Sequence, residues 1–102
     1  EATALGYMNA LRQRAYGDAS GNITAGELTL DFILDERARE LAWEGHRRND
    51  LIRYGLFTGG DYLWAFKGGV AAGSATGDHL NLYPIPAIEL VSNPNVTQNP
   101  GY

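Results

Sequence analysis

The feature that most constrains the fold is a proline-free stretch, residues 28–54, in which apolar side chains recur at helical spacing. At about 100° per residue, one stripe gathers these small or apolar residues: Leu30, Ile33, Leu34, Ala38, Leu41, Gly45, Leu51 and Ile52. A second, nearly opposite stripe consists of aromatic residues that recur every 11 positions: Phe32, Trp43 and Tyr54. With Thr29 as its N-cap and Gly55 as its stop, this pattern predicts one long helix with apolar partners on two sides.

The rest of the chain is predicted to be one shorter helix and long irregular loops. Apolar spacing over residues 4–16 predicts an amphipathic helix that Gly17 ends. The remaining segments are predicted to be a polar loop at 18–26, glycine-rich aromatic loops at 58–81, an extended Pro-containing segment at 82–86, a helical turn at 87–91 and irregular turns at 93–102. The predicted fold class is therefore mainly α.

Composition limits both the size of the domain and its partners. A chain of 102 residues with 44% hydrophobic and 11% aromatic residues can form one small globular domain. Its net charge of -4 leaves no basic surface for phosphates, so we expect no nucleic-acid partner. It has no cysteine and no apolar run of about 18 residues, which excludes disulfides, thiolate metal sites and a membrane span within this sequence.

Three charged residues of the long helix project onto its apolar stripe: Arg37, Glu44 and Arg48. An unpaired charge buried there would cost several kcal/mol, so we predict that the three form a mutually paired, buried network. The alternative is an acid/base role for Glu44 or Glu40. Neighbouring arginines would lower the pKa of such a carboxyl group and make it a poor general acid, so no catalytic residue is predicted.

Two patterns resemble metal sites only in part. His46 and Asp50 lie one helical turn apart, but one histidine and one carboxylate do not complete a site. The Asp-x-Ser-x-Asn pattern at 18–22 resembles the first half of a calcium loop, yet Ile23 stands where glycine is required and Thr29 where a bidentate glutamate is required. We therefore predict no metal. We expect a surface or interface role for His46 and Asp50 and an ordinary polar loop around 18–22.

Tyr62 and Trp64 are the weak candidates for ligand binding, because aromatic faces in exposed loops can stack on sugar rings. The structural alternative is that these side chains anchor their loop onto the core. No glycine-rich run lies between a predicted strand and a predicted helix, so a phosphate-binding loop is not supported, and no cofactor is predicted.

Three blocks of the sequence resemble one protein family. Residues 36–55, ERARELAWEGHRRNDLIRYG, resemble the ERxRELxxEGxRxxDLxRxG helix of SusD-like (SusD/RagB) proteins. Residues 82–86, LYPIP, followed by Glu89, and residues 93–102, NPNVTQNPGY, resemble two further family segments in the same order and spacing. Trp43 and Asn49 depart from residues that are frequent at these positions.

The resemblance implies a function beyond what the residues establish. SusD-like proteins are mainly α-helical, contain tetratricopeptide-like repeats and are several times longer, so residues 1–102 would be the C-terminal segment of such a domain. The whole protein would be an outer-membrane, cell-surface lipoprotein, with its lipid anchor outside this segment. It would bind oligosaccharides without catalysis and pass them to a SusC-like TonB-dependent transporter. The alternative is a structural or partner-docking segment that contacts the transporter, and an enzyme is the third possibility.

Overall fold

The computed structural model describes residues 2–102, which belong to two compact units, Glu1–Arg47 and Arg48–Tyr102. The α-helices of the described residues are α1 (Ala2–Tyr16), α2 (Leu30–Glu40), α3 (Arg47–Arg53) and α4 (Ala87–Ser92). Short 3-10 turns and loops connect them, and within residues 2–102 no strand forms. The predicted mainly α fold class is confirmed.

In the first unit, α1 confirms the predicted shorter helix and its stop. Gly17 has a φ of 80°, and its N–H donates to Gln13 O at 2.9 Å. The loop that follows is fastened to α1 by the Asn9 side chain, which donates to Ile23 O at 3.0 Å and accepts from Ile23 N at 2.8 Å. These bonds hold the apolar side chain of Ile23 in the small core, where it is buried with Met8.

The start of α2 confirms the predicted cap. Thr29 has extended backbone angles, and its hydroxyl oxygen accepts from Phe32 N at 3.1 Å. This bond satisfies one of the backbone N–H groups that a helix start leaves without an intrahelical partner. Leu34 of α2 is 2% exposed, so its side chain lies in the core.

The single helix predicted over 28–54 is wrong, because the chain leaves α2 after Glu40 and turns through residues 41–45. Trp43 and Gly45 have left-handed φ values of 67° and 76°, which no right-handed helix contains. A glycine in a helix interior costs about 1 kcal/mol relative to alanine, so Gly45 favours a turn. The turn is held by Arg47, whose guanidinium reaches back to donate to Leu34 O at 2.9 Å.

In the second unit, Gly55 ends α3 as predicted. Its φ is 70°, and its N–H donates to Ile52 O at 3.0 Å. Leu56 N donates to Leu51 O at 2.8 Å, which completes a Schellman motif. Because Leu51 is 4% exposed, this helix end is anchored by a buried side chain as well as by its hydrogen bonds.

The glycine-rich loops after α3 are closed by one isolated antiparallel bridge between Gly59 and Thr76. Gly73, at a φ of 81°, packs so closely that a Cβ atom there would lie 2.6 Å from Trp64 O. Thr58, the residue before the bridge, is buried, and its hydroxyl donates to Asp78 Oδ1 at 2.8 Å. The loops are therefore ordered by specific close contacts.

The tail at 93–102 runs beside the extended segment at 82–86. Side chains of the tail bond the backbone of this segment as a strand partner would. Gln98 Oε1 accepts from Ile85 N at 2.8 Å, and Gln98 Nε2 donates to Ile85 O at 2.9 Å. Asn99 Nδ2 donates to Tyr83 O at 2.8 Å, and the Tyr102 hydroxyl donates to Leu82 O at 2.7 Å. The tail also packs the Tyr102 ring edge-on against His79, with 5.0 Å between ring centroids. The predicted irregular turns are thus tied to one surface.

Candidate functional site

The two candidate ligand-binding residues lie together in the second unit. The rings of Tyr62 and Trp64 have centroids 6.1 Å apart, and Trp64 also stacks on Phe57 at 5.9 Å with 25° between the ring planes. Tyr62, Trp64 and Phe57 are all half-buried. The candidates are therefore neighbours in one aromatic cluster that is partly open to solvent.

A buried lysine organises this cluster. Lys67, the chain's single lysine, is 2% exposed. Its ammonium group donates to Tyr62 O at 2.7 Å and to Thr58 O at 3.3 Å, and lies 4.6 Å from the centroid of the Trp64 ring. These contacts offset the cost of burying the charge and fix the loop that carries Tyr62 and Trp64.

Arg48 extends the cluster on the other side of Phe57. Its guanidinium carbon lies 4.9 Å from the Phe57 ring centroid and 3.9 Å from that of Tyr83. One guanidinium nitrogen also donates to Leu80 O at 2.8 Å and to Asn81 O at 3.2 Å. The planar guanidinium can stack and donate at once, so Arg48 joins the two rings and fixes their positions.

These contacts link side chains from α3, the glycine-rich loops and the extended segment. We call the linked set the aromatic band; its members, in order of contact, are Tyr62, Trp64, Phe57, Arg48 and Tyr83. A band of aromatic rings can offer apolar faces and edges to the C–H groups of a sugar. It contains no arrangement of nucleophile and base.

The predicted buried network of Arg37, Glu44 and Arg48 is wrong. Glu44 lies beyond the end of α2, its side chain is 59% exposed, and its carboxylate is 3.9 Å from His46 Nε2. The helical phase used for the prediction does not apply after the turn. Arg48 instead belongs to the aromatic band, and Arg37 lies half-buried on α2.

The buried carboxylate is Glu36, whose side chain is 9% exposed. It accepts from Arg12 of α1 at 2.7 Å and from two nitrogens of Arg39 at 2.9 and 2.7 Å. Arg12 is itself 12% exposed and also donates to Gly21 O. An ion-pair network does therefore form in the first unit, but its partners come from two helices.

The partial metal patterns have structural roles. Asp18 caps the 3-10 turn Ala19–Gly21 by accepting from Ser20 N at 2.8 Å, and hydrogen bonds from the Ser20 side chain and backbone lower the pKa of Asp18. His46 is largely exposed, whereas Asp50 is buried, with Arg53 3.9 Å away. Across the described residues, no three His, Cys, Asp or Glu side chains are grouped to hold a metal ion.

The alternative acid/base candidate, Glu40, forms an ion pair with Arg14. Such a pair is a common surface interaction, which gives Glu40 a structural partner. None of the helices within residues 2–102 combines the length and the apolar character needed to cross a membrane.

Comparison with known proteins identifies the family. The model of the SusD family matches residues 1–102. The chain belongs to the SusD family. It is 43% identical over 101 residues to the starch-binding protein SusD of Bacteroides thetaiotaomicron, and the alignment covers 97% of this chain. The chain spans 17% of the length of that relative.

Two of the three blocks in this SusD-family chain are bonded to each other in the structure. The LYPIP segment at 82–86 is extended, and the NPNVTQNPGY tail at 93–102 supplies the side chains that bond its backbone. The block at 36–55 instead covers the end of α2, the turn and α3. The second and third blocks therefore form one structural piece.

The sequence did not indicate three members of the aromatic band as candidate site residues: Arg48, Phe57 and Tyr83. Arg48 was assigned to a charge network, because only helical phase was available to place it. An available signal was the presence of isolated aromatic residues flanking the glycine-rich loops. Lys67 could have been noticed as a single lysine among aromatic residues, which suggests a buried role.

Proposed function

We propose that the full-length protein is a non-catalytic, glycan-binding component of a nutrient-uptake system at the cell surface. The observation that carries this proposal is the 43% identity, over 97% of the chain, to a protein named as starch-binding. The aromatic band supports it, because stacked rings suit the apolar faces of sugars. Starch fragments are accordingly the first glycans to test.

Residues 1–102 are proposed to be the C-terminal segment of a longer SusD-like domain. The chain has 17% of the length of its relative, and several large apolar side chains are exposed: Trp43 at 105%, Val91 at 83% and Ile88 at 70%. Soluble proteins rarely leave so much apolar surface in water. The remainder of the domain would cover part of it, and the proposed lipid anchor in the outer membrane would also lie outside this segment.

Residues 1–102 produced alone are expected to lack a cooperative fold. Only four apolar residues among those described are buried, Met8, Ile23, Leu34 and Leu51, and small cores seldom offset conformational entropy without further support. Thermal unfolding of a dilute fragment, monitored by circular dichroism with its mass measured by ultracentrifugation, checks this. A sharp two-state transition of a strict monomer would contradict it.

The proposed protein partner is a SusC-like TonB-dependent transporter, which receives the bound oligosaccharide. Exposed apolar side chains such as Trp43 and Val91 also favour a second candidate function, in which this segment docks on the transporter and the ligand site lies elsewhere. Co-purification of the tagged full-length protein with its transporter, compared between wild type and Trp43→Ser, tests that alternative. Unchanged co-purification would count against docking through this side chain.

Tyr62 and Trp64 are the proposed ligand contacts within this segment. If Trp64 touches a sugar ring, Trp64→Ala should weaken binding of maltoheptaose by about 1–3 kcal/mol, the scale of aromatic stacking on nucleic-acid bases. Isothermal titration calorimetry of the full-length protein measures this. Unchanged affinity together with a lower melting temperature would instead assign Trp64 the role of anchoring its loop on Phe57 and Lys67.

The central experiment is calorimetry of the wild-type, full-length protein against maltoheptaose, soluble starch, xylan, pectin and inulin. Saturable binding to at least one glycan is the expected result. A parallel reducing-end assay after long incubation tests for cleavage. Sugar release that rises with protein concentration would overturn the non-catalytic role, and absence of binding across the panel would favour the transporter-docking function.

A further inference from the structure

Tyr83 differs from the other members of the aromatic band because it is mostly exposed yet firmly held. Its residue exposure is 70%, whereas Tyr62, Trp64 and Phe57 are half-buried. The Arg48 guanidinium covers part of the ring at 3.9 Å from the centroid. The rest of the ring is therefore open to solvent.

The support behind Tyr83 is itself fixed by hydrogen bonds. Arg48 donates to Leu80 O and Asn81 O, and it also lies over Phe57, so it has little freedom to move away. An aromatic ring backed by a fixed guanidinium keeps its orientation without a ligand. Such preorganisation lowers the entropy lost on binding.

The backbone at Tyr83 is held as well. Pro84 restricts the residue before it to extended conformations. Tyr83 O accepts from Asn99 Nδ2 at 2.8 Å, and Leu82 O accepts from the Tyr102 hydroxyl at 2.7 Å. The tail therefore fixes the position from which the ring projects.

Phe66 shows that exposure alone does not produce this arrangement. Phe66 is 72% exposed, close to the value for Tyr83, but none of the aromatic or cationic side chains in the described residues stacks on its ring. It lies beside Lys67 in the glycine-rich loops and so belongs to the same unit. Phe66 is thus a matched comparison for an exposed ring without support.

We propose that the open face of Tyr83 is a stacking platform for one sugar ring of a bound oligosaccharide, at the exposed end of the aromatic band. The physical reason is that a pyranose presents a face of C–H groups, which gains from burial against a flat apolar ring. The preorganised ring offers that face at little entropic cost. This inference rests on the proposed function and adds a residue that contacts the glycan.

The test is calorimetry of the full-length protein with maltoheptaose and the same glycan panel. Tyr83→Leu keeps an apolar cover over Arg48 but removes the flat ring, and we expect it to weaken binding about tenfold, as for one lost stacked ring. Tyr83→Phe keeps the ring and should lose less affinity. Phe66→Leu removes a ring of similar exposure and should bind as wild type does.

The outcomes separate this inference from the proposed function. Absence of glycan binding by the wild type would reject the proposed function itself. Normal binding by the wild type with equal affinities for Tyr83→Leu and Phe66→Leu would reject the platform alone, and reduced co-purification of Tyr83→Leu with the transporter would then assign the ring to protein docking. Melting temperatures within a few degrees of wild type show that any loss of affinity does not arise from unfolding.

Discussion

Glu36→Ala is expected to lower the free energy of unfolding of the full-length protein by about 3 kcal/mol or more, because it strands a buried arginine. The Glu36 carboxylate accepts three hydrogen bonds from Arg12 and Arg39. Arg12, at 12% side-chain exposure, has little access to water that could replace the lost carboxylate. Urea denaturation followed by tryptophan fluorescence and circular dichroism measures the difference.

Glu44→Ala is the matched control for Glu36→Ala. The substitution is the same and lies eight residues further along the chain, but the Glu44 side chain is 59% exposed and its carboxylate lies 3.9 Å from His46 Nε2. Its effect should stay below about 1 kcal/mol, as for exposed ion pairs. Equal losses in the two variants, or a loss below 1 kcal/mol for Glu36→Ala, would contradict the assignment of the buried network to Glu36.

Lys67→Ala is also expected to destabilise the full-length protein by about 3 kcal/mol, because it leaves two carbonyl groups without their donor and removes a buried side chain. The carbonyls are those of Tyr62 and Thr58, at 2.7 and 3.3 Å from Nζ. Lys67→Met restores most of the volume but not the donor, so it should lose less than Lys67→Ala. The same denaturation experiment compares them.

Arg53→Ala provides the control for removal of a cation from the same unit. The Arg53 side chain is 73% exposed, and its Nη1 atom lies 3.9 Å from Asp50 Oδ1. Because an exposed cation contributes little, its removal should cost less than about 1 kcal/mol. If Lys67→Ala proved no more costly than Arg53→Ala, the ammonium would not hold the loop in the way that its contacts indicate.

The parts of the fold that could be predicted depend on local chemistry. Thr29 caps α2, and Gly17 and Gly55 end α1 and α3, because each acts on backbone groups within a few residues. The break after Glu40 was missed because the apolar pattern continues through Gly45, and helical periodicity cannot distinguish one helix from two helices joined by a turn.

For the candidate site, sequence reasoning found Tyr62 and Trp64, since aromatic residues in a glycine-rich segment are recognisable without a structure. It could not find the link through Arg48 to Tyr83, because these residues are separated by 35 positions and meet only in the folded chain. Their contact depends on how the segment 82–86 returns beside α3.

The sequence by itself determined the family, the helical class, the N-cap of α2, the stops of α1 and α3 and the extended course of the Pro-containing segment. Each of these depends on residues near one another or on blocks in a fixed order. Only the tertiary structure decided which charges are buried. Glu36 is paired with Arg12 from another helix, whereas Glu44 turns to solvent. Burial and pairing arise when distant segments meet, and no local pattern encodes that meeting.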